Sequence, residues 1–210
     1  MIHLHNMPLN TFIQLLGSKQ AIPGGGSATA MTGALGITLS NMVGYLSIGK
    51  KKYAAHEDEI KQLLMQGEAL SAELLELIDE DAAVFQPLAR AYKLSQDNPK
   101  QIEFRKQTIE SCAKEACSVP LSIMYKAYDG LRIHKRMSQI GTAIAISDIG
   151  CGVAFLKATL ISAYFNVLIN LKSISDPLFI SKNRKITKEL LEKGNEIADN
   201  ILNQIMEKLI

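Results

Sequence analysis

The alternation of apolar and polar positions along the chain is helical almost throughout. Between Ala54 and about Ser95, Ile60, Leu63, Leu64, Leu70, Leu74, Leu77, Ile78, Ala82 and Phe85 recur at helical spacing with charged residues between them. That pattern predicts one long amphipathic helix, kinked at Pro87. Asn98-Pro99 opens a second amphipathic segment to about Ser118, and after an interruption at Val119-Pro120 the pattern resumes to about Gln139. Asp176-Pro177 breaks the chain again, and Ser181 to Ile210 reads as a closing amphipathic helix. Near the start, Asn6 to Leu16 predicts a short helix with Asn6 as cap, Pro8 in its first turn and Gly17 as its stop.

Two further stretches are nearly free of charge. Gln20 to Gly49 holds no Lys, Arg, Asp or Glu over 30 residues, and Gly141 to Leu171 holds only Asp148 and Lys157. The first predicts a helix from Ser27 to about Ile48, ended by Gly49 and by a lysine run suited to the negative end of its dipole. It exceeds the roughly 20 residues that span a bilayer. Its load of Ser27, Thr29, Thr32, Thr38, Ser40, Asn41 and Ser47 argues against a lipid-facing surface, and Gly33, Ala34, Gly36 and Gly44 suit close backbone approach. The reading is a helix buried on all sides by protein, with no membrane partner. Strand patterns and hairpin turns are absent. The fold class is therefore all-α, a single domain over 1–210 built as an antiparallel bundle of six or so helices. A bundle this size buries about one helix completely, so two apolar helices predict a homodimer.

Charge and cysteine content narrow the partners. With 23 Lys+Arg against 21 Asp+Glu the formal net charge is +2, too little for general attraction to nucleic acid, so any anion site must be local. Cys112, Cys117 and Cys151 form no Cys-x-x-Cys pair, which argues against a disulfide framework or a zinc site and fits a reducing cytoplasm. Residues Met1 to Leu9 lack the basic-then-apolar order of a secretory signal. His3-x-His5 is the one histidine pair at close spacing, and on a segment expected to fray it predicts no metal site.

Five features could carry chemistry. Gly24, Gly25, Gly26 and Ser27, after Pro23, stand before a helix start, where glycines let a ligand approach amide donors at the positive end of a dipole; equally, they form a tight turn with Ser27 as cap. Asp148 lies among Ala143, Ile144, Ala145, Ile146, Ile149 and Gly150, where a carboxylate needs a partner or a raised pKa, and where it could also serve as a helix cap. Asn166 and Asn170 share one helix face and could clamp an amide or carboxylate. On one continuous helix Asn166 would lie about 27 Å from Asp148, so one small substrate reaches both only through an elongated shape, a kink or a symmetry mate. Asp81, four residues before Phe85, either points inward or belongs to a solvated acidic face with Asp79 and Glu80. Lys50, Lys51 and Lys52 read as a solvated helix end or a polyanion site.

Taken in register, Pro23-Gly24-Gly25-Gly26-Ser27, Gly49-Lys50-Lys51-Lys52-Tyr53, Asp81-x-x-x-Phe85, Ser147-Asp148 and Asn166-Val167-Leu168-Ile169-Asn170-Leu171 resemble the formiminotetrahydrofolate cyclodeaminase family, which includes methenyltetrahydrofolate cyclohydrolases. The resemblance implies an all-helical, dimeric, folate-binding fold acting on a tetrahydrofolate derivative without cofactor or metal. It makes Asp148 the first and Asp81 the second candidate for a proton relay. The glycine segment would hold the pterin or a carboxylate, and the lysines with Tyr53 the glutamate tail. Two departures stand out: Thr142 and Ile144 occupy positions where the family usually carries asparagine, and Ala83 replaces a glutamate. An isoleucine cannot make an amide's hydrogen bonds, so altered specificity or a noncatalytic folate-binding role is the alternative these positions raise.

Overall fold

The computed structural model describes residues 3–210, and among these every regular element is helical: α1 (Leu9–Leu16), α2 (Gly25–Ser47), α3 (Glu57–Ala91), α4 (Pro99–Ala116), α5 (Ser118–Ile140), α6 (Ile146–Leu171) and α7 (Pro177–Leu209). Short 3-10 turns at Leu4–Asn6, Lys51–His56 and Ala143–Ala145 lead into the helices that follow. The predicted bundle is thus six long helices and one short one.

Most boundaries follow local chemistry. Asn98 caps α4 by accepting the Gln101 N–H, with Pro99 at the first helical position. Asp176 caps α7 through the Leu178 and Phe179 N–H groups, which starts that helix at Pro177 instead of Ser181. Asn6 does not cap α1; it ends its own 3-10 turn, and Pro8 occupies the cap position. The helix expected from Ala54 begins at Glu57, because Lys51–His56 winds as a 3-10 turn first, and Pro87 lies within it.

α2 and α6 run antiparallel through the bundle: Gly25 lies by Asn166, Gly33 by Thr159, Gly36 by Gly152 and Ser47 by Thr142. α3 covers α2 on one side, while α5 and α7 flank α6. The expectation that α2 is buried on all sides needs correction. Its small residues Gly33, Ala34, Gly36, Ser40 and Gly44 face the protein, but Leu35, Met42, Tyr45 and Leu46 are exposed. The exposed stripe continues on α6 with Phe155, Phe165 and Ile169. Among the described residues one helical stretch, Ala143–Leu171, is long and apolar enough to cross a membrane, and it is packed against α2, α5 and α7.

Small residues at the α2–α6 crossing make room for one large polar side chain. His134, on α5, is fully buried, and its Nδ1 donates to the Gly130 carbonyl at 2.9 Å. Its Nε2 edge fills the space above Gly152, where an added Cβ would overlap the ring and approach the Gly36 carbonyl at 2.8 Å. Burial pushes the His134 pKa down to about 4. The folded protein therefore keeps the ring neutral, while the unfolded chain takes up a proton below about pH 6.5. The stability this group contributes is full above that pH and is lost as pH falls towards 4. Urea titrations at pH 7.5 and 4.5 should show wild type losing about 2–3 kcal/mol more than His134→Gln; equal losses would refute a neutral buried ring.

Candidate functional site

The glycine segment is not a loop in front of a helix but the first turn of one. Gly24 is the N-cap, and Gly25 and Gly26 are already helical. Ser27 is therefore not the cap. Its N–H donates to Asp81 Oδ2 at 2.8 Å, and its hydroxyl donates to the same oxygen at 2.9 Å and lies 3.1 Å from the Ile78 carbonyl. The side chain of α3 thus supplies the acceptor that the first turn of α2 lacks. Gly26 makes this possible: the Asp81 carboxylate sits where a Cβ would be, so any larger residue there would displace it.

Asp81 consequently points inward, resolving the two readings of that acidic run. Burial raises its pKa, partly offset by the hydrogen bonds from the Ser27 hydroxyl and N–H. No cation pairs with it among the described residues. Oδ2 is committed to Ser27, and Oδ1 accepts no hydrogen bond from the described residues. A carboxyl so placed holds its proton to higher pH than a solvated one, which suits a proton-transfer group.

Next to the glycine turn, with Gly25 but not Asp81 in its lining, opens a cleft of about 370 Å³ between the start of α2 and the end of α6. Gly25, Thr29 and Thr32 line one wall, and Thr159, Phe165 and Asn166 the other. The Asn166 side-chain amide oxygen Oδ1 faces Gly25 Cα, 3.5 Å from where a Cβ would stand. Asn170 does not complete a clamp: its Nδ2 donates to the Ala116 carbonyl at 3.0 Å and ties α6 to the end of α4.

The remaining candidates gather at the opposite end of the bundle. Lys50, Lys51 and Lys52 are exposed where α2 ends. The Tyr53 hydroxyl lies 3.3 Å from Thr142 Oγ1 and accepts the Ala143 N–H at 3.4 Å, contacts that lower its pKa, the Thr142 bond first. Ser147 is exposed and Asp148 half-buried in the first turn of α6. Asp148 is neither the cap, which is Ala145, nor beside the glycine turn. Its apolar neighbours along the sequence point elsewhere: Ile149 and Ala145 turn into the core, whereas Ile144 is 88% exposed. Thr142, where an asparagine was expected, is buried and donates its N–H to the Ser47 hydroxyl at 2.8 Å, fastening this loop to α2. From Gly25 to Ser47 the axis of α2 measures about 33 Å. The two clusters of one chain cannot meet on a single small molecule.

Comparison with known proteins shows what the chain as a whole is similar to. The family model described as formiminotransferase-cyclodeaminase matches residues 8–190. A methenyltetrahydrofolate cyclohydrolase of Methylorubrum extorquens is 32% identical over 204 residues, covering 97% of this chain and 98% of its own. A formimidoyltransferase-cyclodeaminase of Sus scrofa is 31% identical over 202 residues; the match covers 96% of this chain but only 37% of that longer protein. A crystal structure of a formiminotetrahydrofolate cyclodeaminase from Thermotoga maritima superposes with a TM-score of 0.82 at 25% identity, over 97% of this chain and 96% of that one.

Proposed function

Because the chain belongs to the formiminotransferase-cyclodeaminase family, we propose that it is an enzyme of folate one-carbon metabolism that converts 5-formiminotetrahydrofolate to 5,10-methenyltetrahydrofolate and ammonia. The observation that carries this reading is the Asp81 carboxyl, desolvated and held over Gly26, the residue after Gly25 in the wall of the α2–α6 cleft. In the reaction N10 forms a bond to the carbon of the formimino group on N5, which enters as its protonated amidinium cation and so already carries two hydrogens on its nitrogen. Asp81 takes the N10 proton and returns it to the formimino nitrogen. The carbon–nitrogen bond then breaks with its electron pair leaving on ammonia, and the cationic methenyl bridge remains. A carboxyl of raised pKa suits both halves of this relay, and its anionic form opposes the positive charge of the product. No cofactor takes part in these steps. Three free cysteines accord with a cytoplasmic setting.

The lysines and Tyr53 lie too far from Asp81 to touch the same folate within one subunit. A second copy placed by a twofold axis perpendicular to α2 resolves this, since it lays the lysine end of one chain beside the glycine end of the other. The apolar stripe of α2 and α6, with Leu35 56%, Tyr45 60% and Phe165 63% exposed, is the face such a dimer would cover. In that arrangement Lys50, Lys51 and Lys52 meet the glutamate tail of a folate whose pterin lies by Gly25 and Asn166.

A second reading, hydrolysis of 5,10-methenyltetrahydrofolate, is favoured by the end-to-end match to a stand-alone cyclohydrolase. Following the methenyl absorbance separates the two. Growth on addition of the 5-formimino compound identifies the deaminase, accelerated decay of the 5,10-methenyl compound identifies the hydrolase, and saturable binding without either change identifies a noncatalytic folate binder.

A further inference from the structure

The acidic run on α3 has a second inward-turned member that the folate reading does not use. Asp79 faces the segment at residues 3–7, on the other side of the helix from the glycine turn. The Leu4 N–H donates to its Oδ1 at 2.5 Å, while the Nδ1 atoms of His3 and His5 lie 3.2 and 2.6 Å from its Oδ2. The segment expected to fray is thus fastened, and His3-x-His5 gains a carboxylate 74 residues away in sequence.

We propose that His3, His5 and Asp79 form a binding site for a divalent transition-metal ion of the zinc or cobalt class. Two imidazoles and a carboxylate are the donor set that borderline divalent ions prefer over Mg²⁺ or Ca²⁺. The three ligating atoms all lie within 4.8 Å of one another. Donors bound at 2.0–2.2 Å in a tetrahedral site stand roughly 3.4 Å apart, so small rotations of the rings close the set; His3, 60% exposed, is free to make them. The ion would replace the protons that now link each ring to the carboxylate, and Leu4 N–H would orient the remaining carboxylate oxygen as an outer partner. Three protein donors leave a coordination position open. His3, Leu4 and Asp79 also line a cavity of about 590 Å³, whose other walls include Met7, Ile22 and Gln86. A water or an anionic ligand reaching the ion through that cavity would complete the shell, and the occupied site would pin residues 3–7 to α3.

Cobalt and zinc titrations of the full chain test this independently of any folate chemistry. One Co²⁺ per chain should bind with the d–d absorption of nitrogen and oxygen ligands, and Zn²⁺ should displace it and raise the melting temperature. Asp79→Asn and His5→Ala should each weaken binding by at least about tenfold. His3→Gln, at an exposed position, should do the same with helix content unchanged by circular dichroism. Sulfur-to-cobalt charge-transfer bands would put the ion on a cysteine and overturn the assignment. Binding insensitive to all three substitutions, or no binding at about 100 μM free metal, would overturn it as well.

Discussion

Asp81→Asn lowers turnover at the methenyl bridge by about 10²- to 10⁴-fold, the range that a positioned proton-transfer group contributes. The substitution is isosteric. The amide oxygen still accepts the Ser27 N–H and hydroxyl that now bind Oδ2, so the first turn of α2 keeps its partner and the fold is retained. The loss is confined to the atom that can carry a proton. The burial that raises the Asp81 pKa also means that removing its charge relieves a desolvation cost, so the melting temperature should hold or rise as turnover collapses. Steady-state rates, with folate binding measured by equilibrium titration, check the claim. A variant that binds substrate normally and turns it over at more than a tenth of the wild-type rate removes Asp81 from the relay.

Why we propose Asp81 rather than Asp148 for that place was only partly legible in the sequence. Helix periodicity located every long element, because a bundle is assembled from the stripes that 3.6-residue spacing writes into the chain. The glycine segment and the two aspartates were visible as unusual residues in apolar company. What periodicity cannot show is which ends of two helices meet. The antiparallel packing of α2 on α6 puts Asn166 at the glycine end and Asp148 at the lysine end, and the 54-residue separation of Ser27 from Asp81 is closed only by tertiary packing. His134 was passed over for a related reason: its full burial depends on glycines 36 and 152, on two other helices. Asp79 entered only as a member of a run that could form a solvated face, because its histidine partners sit on a turn with no periodic pattern of its own. Thr142 and Ile144, read together as lost asparagines, separate in the structure into a buried loop tie and an exposed surface residue.

Mixing two inactive variants restores about a quarter of wild-type activity if each site is shared between subunits. Asp81→Asn disables the glycine end, and Asp148→Asn disables the far end, where the half-buried carboxyl would reach the folate bound to the partner. Each homodimer carries two broken sites. After dissociation and random reassociation, half of the dimers are mixed. In each of these one site combines both substitutions while the other combines an intact glycine end with an intact lysine end, so the mixture holds a quarter of the native sites. A site contained within one chain predicts no recovery at all, since every chain then carries its own defect. Full activity of Asp148→Asn alone would remove the far end from the chemistry, and a monomer in sedimentation at assay concentration would remove the shared cleft. The outcome turns on geometry: about 33 Å of helix separates the two clusters in one subunit, and a perpendicular twofold brings unlike ends together.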